Sequence, residues 1–184
     1  MKFTAAGAAR TVTGSSHHLQ IDDVNFLVDC GLFQGGSSTE ALNHAPLPFE
    51  AAALDAVLVT HGHLDHVGRL PVLLKQGYGG VIHCTEATAE IAKVILRDSA
   101  RIQEEDYERA LRKAVRAGRE SEVTPPLYTS ADAEAVIERF RAVDMERPHR
   151  LSDKVKAVFR LAGHILGSSY IEVTGANERI TFSG

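Results

Sequence analysis

Short apolar runs broken by polar turns mark the first half of the chain and its end, and longer amphipathic stretches fill the region between. Residues 17–28, HHLQIDDVNFLV, predict two short strands joined by a turn at Asp22 and Asp23. Residues 54–59, LDAVLV, are almost wholly apolar, the pattern of a strand in a sheet covered on both faces. VIHC at 81–84 predicts another strand, after which Thr85 is placed to cap a helix and Glu86 suits its first turn. That helix carries Ile91, Val94 and Ile95 at helical spacing, and a second, charge-rich helix is expected from about 99 to 117, ending at Gly118. TPPLYT at 124–129 reads as a loop. Thr129 and Asp132 have capping-box spacing ahead of a helix with Val136, Phe140 and Val143 on one face. Residues 155–161 and 170–174 predict strands around the loop AGHILGSS, and ITF at 180–182 reads as the start of one more. Strands alternating with helices make the class α/β. A strand opening so near the last residue predicts a piece of a longer domain.

Composition narrows the partners. The 184 residues suffice for one domain with a core, and 44% hydrophobic with 24% charged residues is an ordinary globular balance. A net charge of −4 argues against coating nucleic acid by bulk charge, though not against a local basic groove. No apolar window reaches the roughly 18 residues of a membrane span, so no membrane partner is expected. The opening MKFTAAGAARTVTG lacks the apolar core of a signal peptide. Cys30 and Cys84 form no CxxC pair, which excludes a disulfide framework and a cysteine zinc knuckle; a reducing cytoplasm is the expected compartment.

The chemistry concentrates in VLVTHGHLDHVG, where His61, His63, Asp65 and His66 form HxHxDH. Side chains two apart in an extended segment point the same way, so His61 and His63 can grip one ion. Asp65 and His66 are adjacent and can turn toward a second. Imidazole and carboxylate suit zinc, with manganese as the harder alternative. The spacing differs from HExxH, whose histidines sit one helical turn apart. Two further residues are ambiguous alone. Asp29, ending the strand in NFLVDCG, can orient an imidazole, yet a turn aspartate before Gly31 is the simpler reading. His164 in AGHILGSS, taken alone, reads as a satisfied loop histidine.

Taken together, GAARTVTGSSHHL, LVDCGLFQGG, VLVTHGHLDHVGRLP, the IQEEDY and PPLYT segments and AGHILGSS resemble the metallo-β-lactamase superfamily. The text is most similar to its RNA-processing β-CASP branch, related to the cleavage and polyadenylation specificity factor. The resemblance implies the N-terminal half of an αββα sandwich, a mixed sheet with flanking helices. Residues 1–184 would be the N-terminal portion of the domain, with the β-CASP insertion and the second half outside it. It implies two zinc ions, with His61, His63 and His164 on the first, Asp65 and His66 on the second, and Asp29 orienting a ligand; Asp65 and Asp29 are thus the acids of the catalytic machinery. The family pattern continues past "SG" with an aspartate bridging both metals, whereas this text stops at Gly184, so the second site is expected with two ligands only. The expected reaction is hydrolysis of RNA phosphodiester bonds by metal-activated hydroxide, and RNA is the expected partner. A half-sandwich is expected to leave one face of its sheet bare. A hydrolase of thioesters or lactones on the same fold, and a non-catalytic scaffold subunit, are the alternatives; the retained ligands argue against the scaffold. A homo-oligomer is left open.

Arg109, Arg112, Lys113 and Arg116 fall on one helix face and could form a rail for RNA phosphates. A solvated face with cations toward the helix C-terminus is the simpler reading. His17 and His18 are assigned no pocket role, and His44, His83 and His149 read as surface or satisfied histidines.

Overall fold

In the computed structural model, which describes residues 1–184, ten strands form two sheets. The first contains β1 (Lys2–Gly7), β2 (Ser16–Ile21), β3 (Val24–Val28), β4 (Ala56–Leu58), β5 (Ile82–Cys84) and β6 (Phe140–Ala142) in that spatial order. β1 to β3 form an antiparallel meander, and β3 to β6 run parallel, so the sheet is mixed as expected. The second sheet is wholly antiparallel, in the order β10 (Arg179–Phe182), β9 (Ser169–Thr174), β8 (Lys156–Leu161), β7 (Pro148–Arg150). The helices are α1 (Ser37–Glu40), α2 (Leu64–Val67), α3 (Leu70–Lys75), α4 (Glu86–Ala117) and α5 (Ser130–Ile137).

Alternation along the strands divides the core in two. Leu27, Val57 and Ile82 point to one face and pack with Leu70, Leu96 and Val136 of the helices. Phe26, Val28 and Leu58 point to the other and pack with Ala157, Phe159 and Ile171 of the second sheet. The sheet bearing the histidine motif is therefore covered on both faces, contrary to the expected bare face. The open face belongs to the second sheet, and it is polar: Glu172 takes Arg160 at 2.8 Å and Arg179 at 2.7 Å.

Two expected boundaries move. The helices expected either side of residue 99 are one 32-residue helix, α4, capped by Thr85 and closed by Gly118 in the left-handed region. Thr129 and Asp132 do form the capping box of α5, but α5 ends at Ile137, and Phe140 begins β6 beside Ile82.

His83, expected on the surface or satisfied, instead joins the sheets. Its neighbours Ile82 and Cys84 enter the helix-side core, and its ring lies 4.4 Å from that of His149 on β7. Its Nδ1 is buried without a partner. Burial, with help from His149 and Arg141, pushes the His83 pKa down to about 4, and burial lowers that of His149. The unfolded chain protonates His83 near the usual 6.5, so it binds more protons than the native state between about 6.5 and 4. Stability from this pair is whole above that window and is lost as pH falls through it. His83→Phe in the full-length protein is expected to flatten the fall in melting temperature between pH 7 and pH 4.5; an unchanged fall would remove the pair as its source.

Candidate metal centre

The motif sits where β4 ends. The chain bends at Thr60, runs irregularly through His61 and Gly62 to an extended His63, and closes from Leu64 to Val67 into the single turn of α2. Asp65 and His66 therefore project from a helical turn, not from the segment that carries His61 and His63. Residues 29–32 run alongside: Cys30 N–H donates to the His66 carbonyl at 2.8 Å and Leu32 N–H to that of Leu64 at 3.0 Å. The approach is close enough that a Cβ on Gly31 would lie 1.6 Å from the Asp65 carbonyl oxygen.

His61 and His63 come from this segment, and His164 comes from the loop between β8 and β9. Their ligand nitrogens converge: His61 Nε2 and His164 Nε2 each lie 3.2 Å from His63 Nδ1. Two nitrogens bound to a tetrahedral zinc at 2.0–2.1 Å stand about 3.3 Å apart. Hydrogen bonding explains the cluster less well. Thr60 Oγ1 donates to Asp29 Oδ2 at 2.8 Å, so His61 Nδ1–H is the donor to that hydroxyl at 3.0 Å. His61 Nε2 is then a bare lone pair facing its neighbours. Burial, then the charge of His66, pushes the His61 pKa down to about 4, the neutral form that ligates metals. His61, His63 and His164 could hold one metal ion.

Asp29 lies behind this cluster, 1% exposed and in the left-handed region at φ 59°. Its carboxylate accepts the Thr60 N–H at 2.8 Å, the Thr60 hydroxyl at 2.8 Å and His66 Nδ1–H at 2.8 Å. These contacts aim the Asp29 carboxylate at Thr60 and at the His66 imidazole. Burial opposes charge on His66, but the hydrogen bond and charge of Asp29 outweigh it and raise the pKa. His66 Nε2 stands 3.8 Å from Asp65 Oδ2. In the neutral imidazole, with Nδ1–H committed to Asp29, that nitrogen is a lone pair and the two acceptors could share a cation; in the imidazolium they form an ion pair. The rings of His61 and His66 are 3.9 Å apart, so the two sets adjoin.

His17, assigned no pocket role from sequence, lines a cavity of about 430 Å3 with Ser15, Asp29, His66 and Phe182. Burial lowers its pKa. His18 faces away, 2.6 Å from Asn25 Oδ1. Burial pushes both cysteine thiols up to about 12, and neither belongs to the histidine cluster. The basic rail contributes no residue to the histidine cluster. Arg109 lies 24 positions beyond Thr85 on one continuous helix, roughly 36 Å along its axis at 1.5 Å per residue, with Arg112, Lys113 and Arg116 farther along; of the four, Lys113 lines a cavity that Leu64 of the motif also lines. Arg109 and Arg112 stand 3.4 Å from Asp106 and Glu108, neighbours on their own helix. Sequence reasoning missed Thr60; the only local signal was its place directly before the first histidine.

The family model described as the metallo-beta-lactamase superfamily matches residues 10–184. The chain belongs to that superfamily. It is 35% identical to ribonuclease TTHA0252 of Thermus thermophilus, over 100% of this chain and 37% of the relative. It is 32% identical to transcription termination factor FttA of Methanocaldococcus jannaschii, over 92% and 24%. It is 29% identical to cleavage and polyadenylation specificity factor 73 of Drosophila melanogaster, over 100% and 24%. The chain thus spans about a quarter to somewhat over a third of the length of these curated relatives. Among solved structures, the fold is shared with the metallo-beta-lactamase fold protein YhfI of Bacillus subtilis, at TM-score 0.54 and 18% identity, over 99% of this chain and 62% of that one. A metallo-beta-lactamase of Cronobacter sakazakii gives TM-score 0.52 and 21% identity, over 93% and 56%. No helix is long and apolar enough to cross a membrane.

Proposed function

We propose that this chain carries the metal-binding part of a β-CASP-type hydrolase that cleaves RNA phosphodiester bonds with two zinc ions. The convergence of the three histidines, His61 and His164 each 3.2 Å from His63 and all within 4.8 Å of one another, carries the reading. The names of the relatives, a ribonuclease among them, support RNA as the substrate. His61, His63 and His164 would hold the first ion; Asp65 and His66 would contribute to the second. Bound zinc supplies a hydroxide near neutral pH and offsets charge on the phosphoryl oxygens. The chain's own residues do the rest. Asp29 holds His66 in the tautomer that leaves Nε2 free, and the Thr60 hydroxyl does the same for His61. Asp65 adds the negative charge that two adjacent cations require.

Metal analysis of the full-length protein, purified without chelator, is expected to give about two zinc ions per chain. Chelation is expected to abolish cleavage of a labelled RNA, and zinc to restore it. A stoichiometry near zero, or cleavage indifferent to chelation, would overturn the reading. Running a thioester and a lactone in the same assay separates this activity from other hydrolyses on the fold.

A further inference from the structure

His164 is exposed, whereas His61 is 3% exposed, so packing fixes the first and not the third of these imidazoles. The position of His164 depends on its loop, residues 162–168. Within the loop, Ser168 Oγ accepts the N–H groups of His164 at 3.0 Å and Ile165 at 3.1 Å. That makes the loop a unit without fixing it to the body. The body reaches it through the Gly167 carbonyl. Thr85 Oγ1 lies 2.7 Å from that oxygen and Thr88 Oγ1 2.9 Å from it, and both threonines are buried.

Hydrogen counting defines the arrangement. Thr85 Oγ1 accepts the Thr88 N–H at 3.2 Å, its ordinary duty as helix cap. Its single hydrogen faces two acceptors, the Gly167 carbonyl at 2.7 Å and Thr88 Oγ1 at 2.9 Å, and the carbonyl is the nearer; the Thr88 hydroxyl donates to the same carbonyl. A carbonyl oxygen has two lone pairs, so both hydroxyls can donate to Gly167 at once. The third residue beyond the cap needs no hydroxyl for α4 to start; that of Thr88 meets the Thr85 hydroxyl at 2.9 Å and the Gly167 carbonyl at 2.9 Å, which ties the helix start to the loop. Gly167 matches this: at φ 77° a side chain is disfavoured, and a Cβ there would lie 2.6 Å from Thr88 N.

We propose that Thr85 and Thr88 are positioning residues of the metal centre, their paired hydroxyls clasping the Gly167 carbonyl so that the loop presents His164 to His63. The proposal rests on the reading of the three histidines as ligands. A displacement of about 1 Å would carry His164 Nε2 outside bonding distance of an ion held by the other two.

The test uses full-length Thr88→Val, which keeps the shape and removes the donor, and Thr88→Ser, which keeps the donor. Gly167→Ala attacks the clasp from the other side. Two measurements are made: amide hydrogen exchange of residues 162–169 in the metal-free protein, and zinc affinity by competition with a chromophoric chelator. Thr88→Val and Gly167→Ala are expected to speed exchange in that loop alone, with little change in melting temperature, and to weaken the tighter zinc about 10- to 100-fold. Thr88→Ser is expected to match the parent in both. Unchanged affinity in Thr88→Val, equal losses in Thr88→Ser, or faster exchange throughout the chain would overturn the clasp. If the parent protein binds no zinc, the ligand reading fails, and unchanged loop exchange in Thr88→Val would separately show that the clasp does not hold the loop.

Discussion

His63→Ala in the full-length protein is expected to reduce RNA cleavage to the level of the chelated enzyme, with little loss of stability. His63 Nδ1 stands 3.2 Å from both His61 Nε2 and His164 Nε2, so its removal leaves two imidazoles, short of the three or four protein ligands of a stable zinc site. His63 occupies the N-cap position of α2 but makes no side-chain capping bond, so truncation costs the fold little. Asp29→Asn is the informative comparison. It removes the charge beside His66 and disturbs the donors that fix that imidazole, without removing a ligand. Its loss should be about 10- to 100-fold, the usual cost of an orienting partner. Cleavage of a labelled RNA by both variants decides. An equal loss in the two would make Asp29 a ligand or a catalytic group, and the division of roles drawn above would fall.

The residues of the centre differ in how far sequence reveals them. HxHxDH was legible because four groups of one chemistry lie within six consecutive residues, and local geometry alone brings His61 next to His63. Asp29 and His164 were legible only through resemblance, since their partners lie 37 and 101 positions away. Thr88 was hidden for the same reason: its hydroxyl meets a carbonyl 79 positions on, and its sequence position shows only a helix start. The errors in the fold have local causes. The polar run Arg97, Asp98 and Ser99 interrupts the apolar pattern without interrupting α4: Arg97 and Asp98 are exposed, Arg97 pairing with Glu134 at 2.6 Å, while Ser99 is half-buried and meets the buried Tyr128 at 2.7 Å. No glycine or proline falls between 86 and 117, and nothing stops the helix there. Phe140 keeps helical spacing from Val136 by coincidence, since it packs into the same core from a strand. β1 escaped because an edge strand with Lys2, Phe3 and Ala5 exposed shows no clean alternation. The second sheet was misjudged because its strands were read singly. Their inward residues, Ala157, Phe159, Ile171 and Val173, form a complete surface against Phe26 and Leu58.

Gly31→Ala tests the packing that gives the motif its shape, and its expected effect is out of proportion to one methyl group. No left-handed backbone requires glycine here; the constraint is steric. The added Cβ would fall 1.6 Å from the Asp65 carbonyl oxygen, 2.1 Å from its carbon and 2.8 Å from His66 N, all backbone atoms that no rotamer change can move aside. Either residues 29–32 lift away, or α2 shifts. Lifting away breaks the bonds from Cys30 N to the His66 carbonyl, Gly31 N to the Ser15 carbonyl and Leu32 N to the Leu64 carbonyl. Each buried group left unsatisfied costs about 1–3 kcal/mol, so the sum approaches a typical total stability of about 5–15 kcal/mol. Shifting α2 instead displaces Asp65 and His66 from Asp29 and from each other. On either course the full-length variant is expected to lose the zinc assigned to Asp65 and His66, to lose cleavage, and to melt far below the parent or fail to accumulate. Gly79→Ala is the control, because a Cβ there meets no heavy atom within 4 Å. It should retain both metal and activity. A Gly31→Ala protein with two zinc ions and full cleavage would mean that the 29–32 segment does not press against the Asp65 turn, and the account of how Asp29 reaches His66 would go with it.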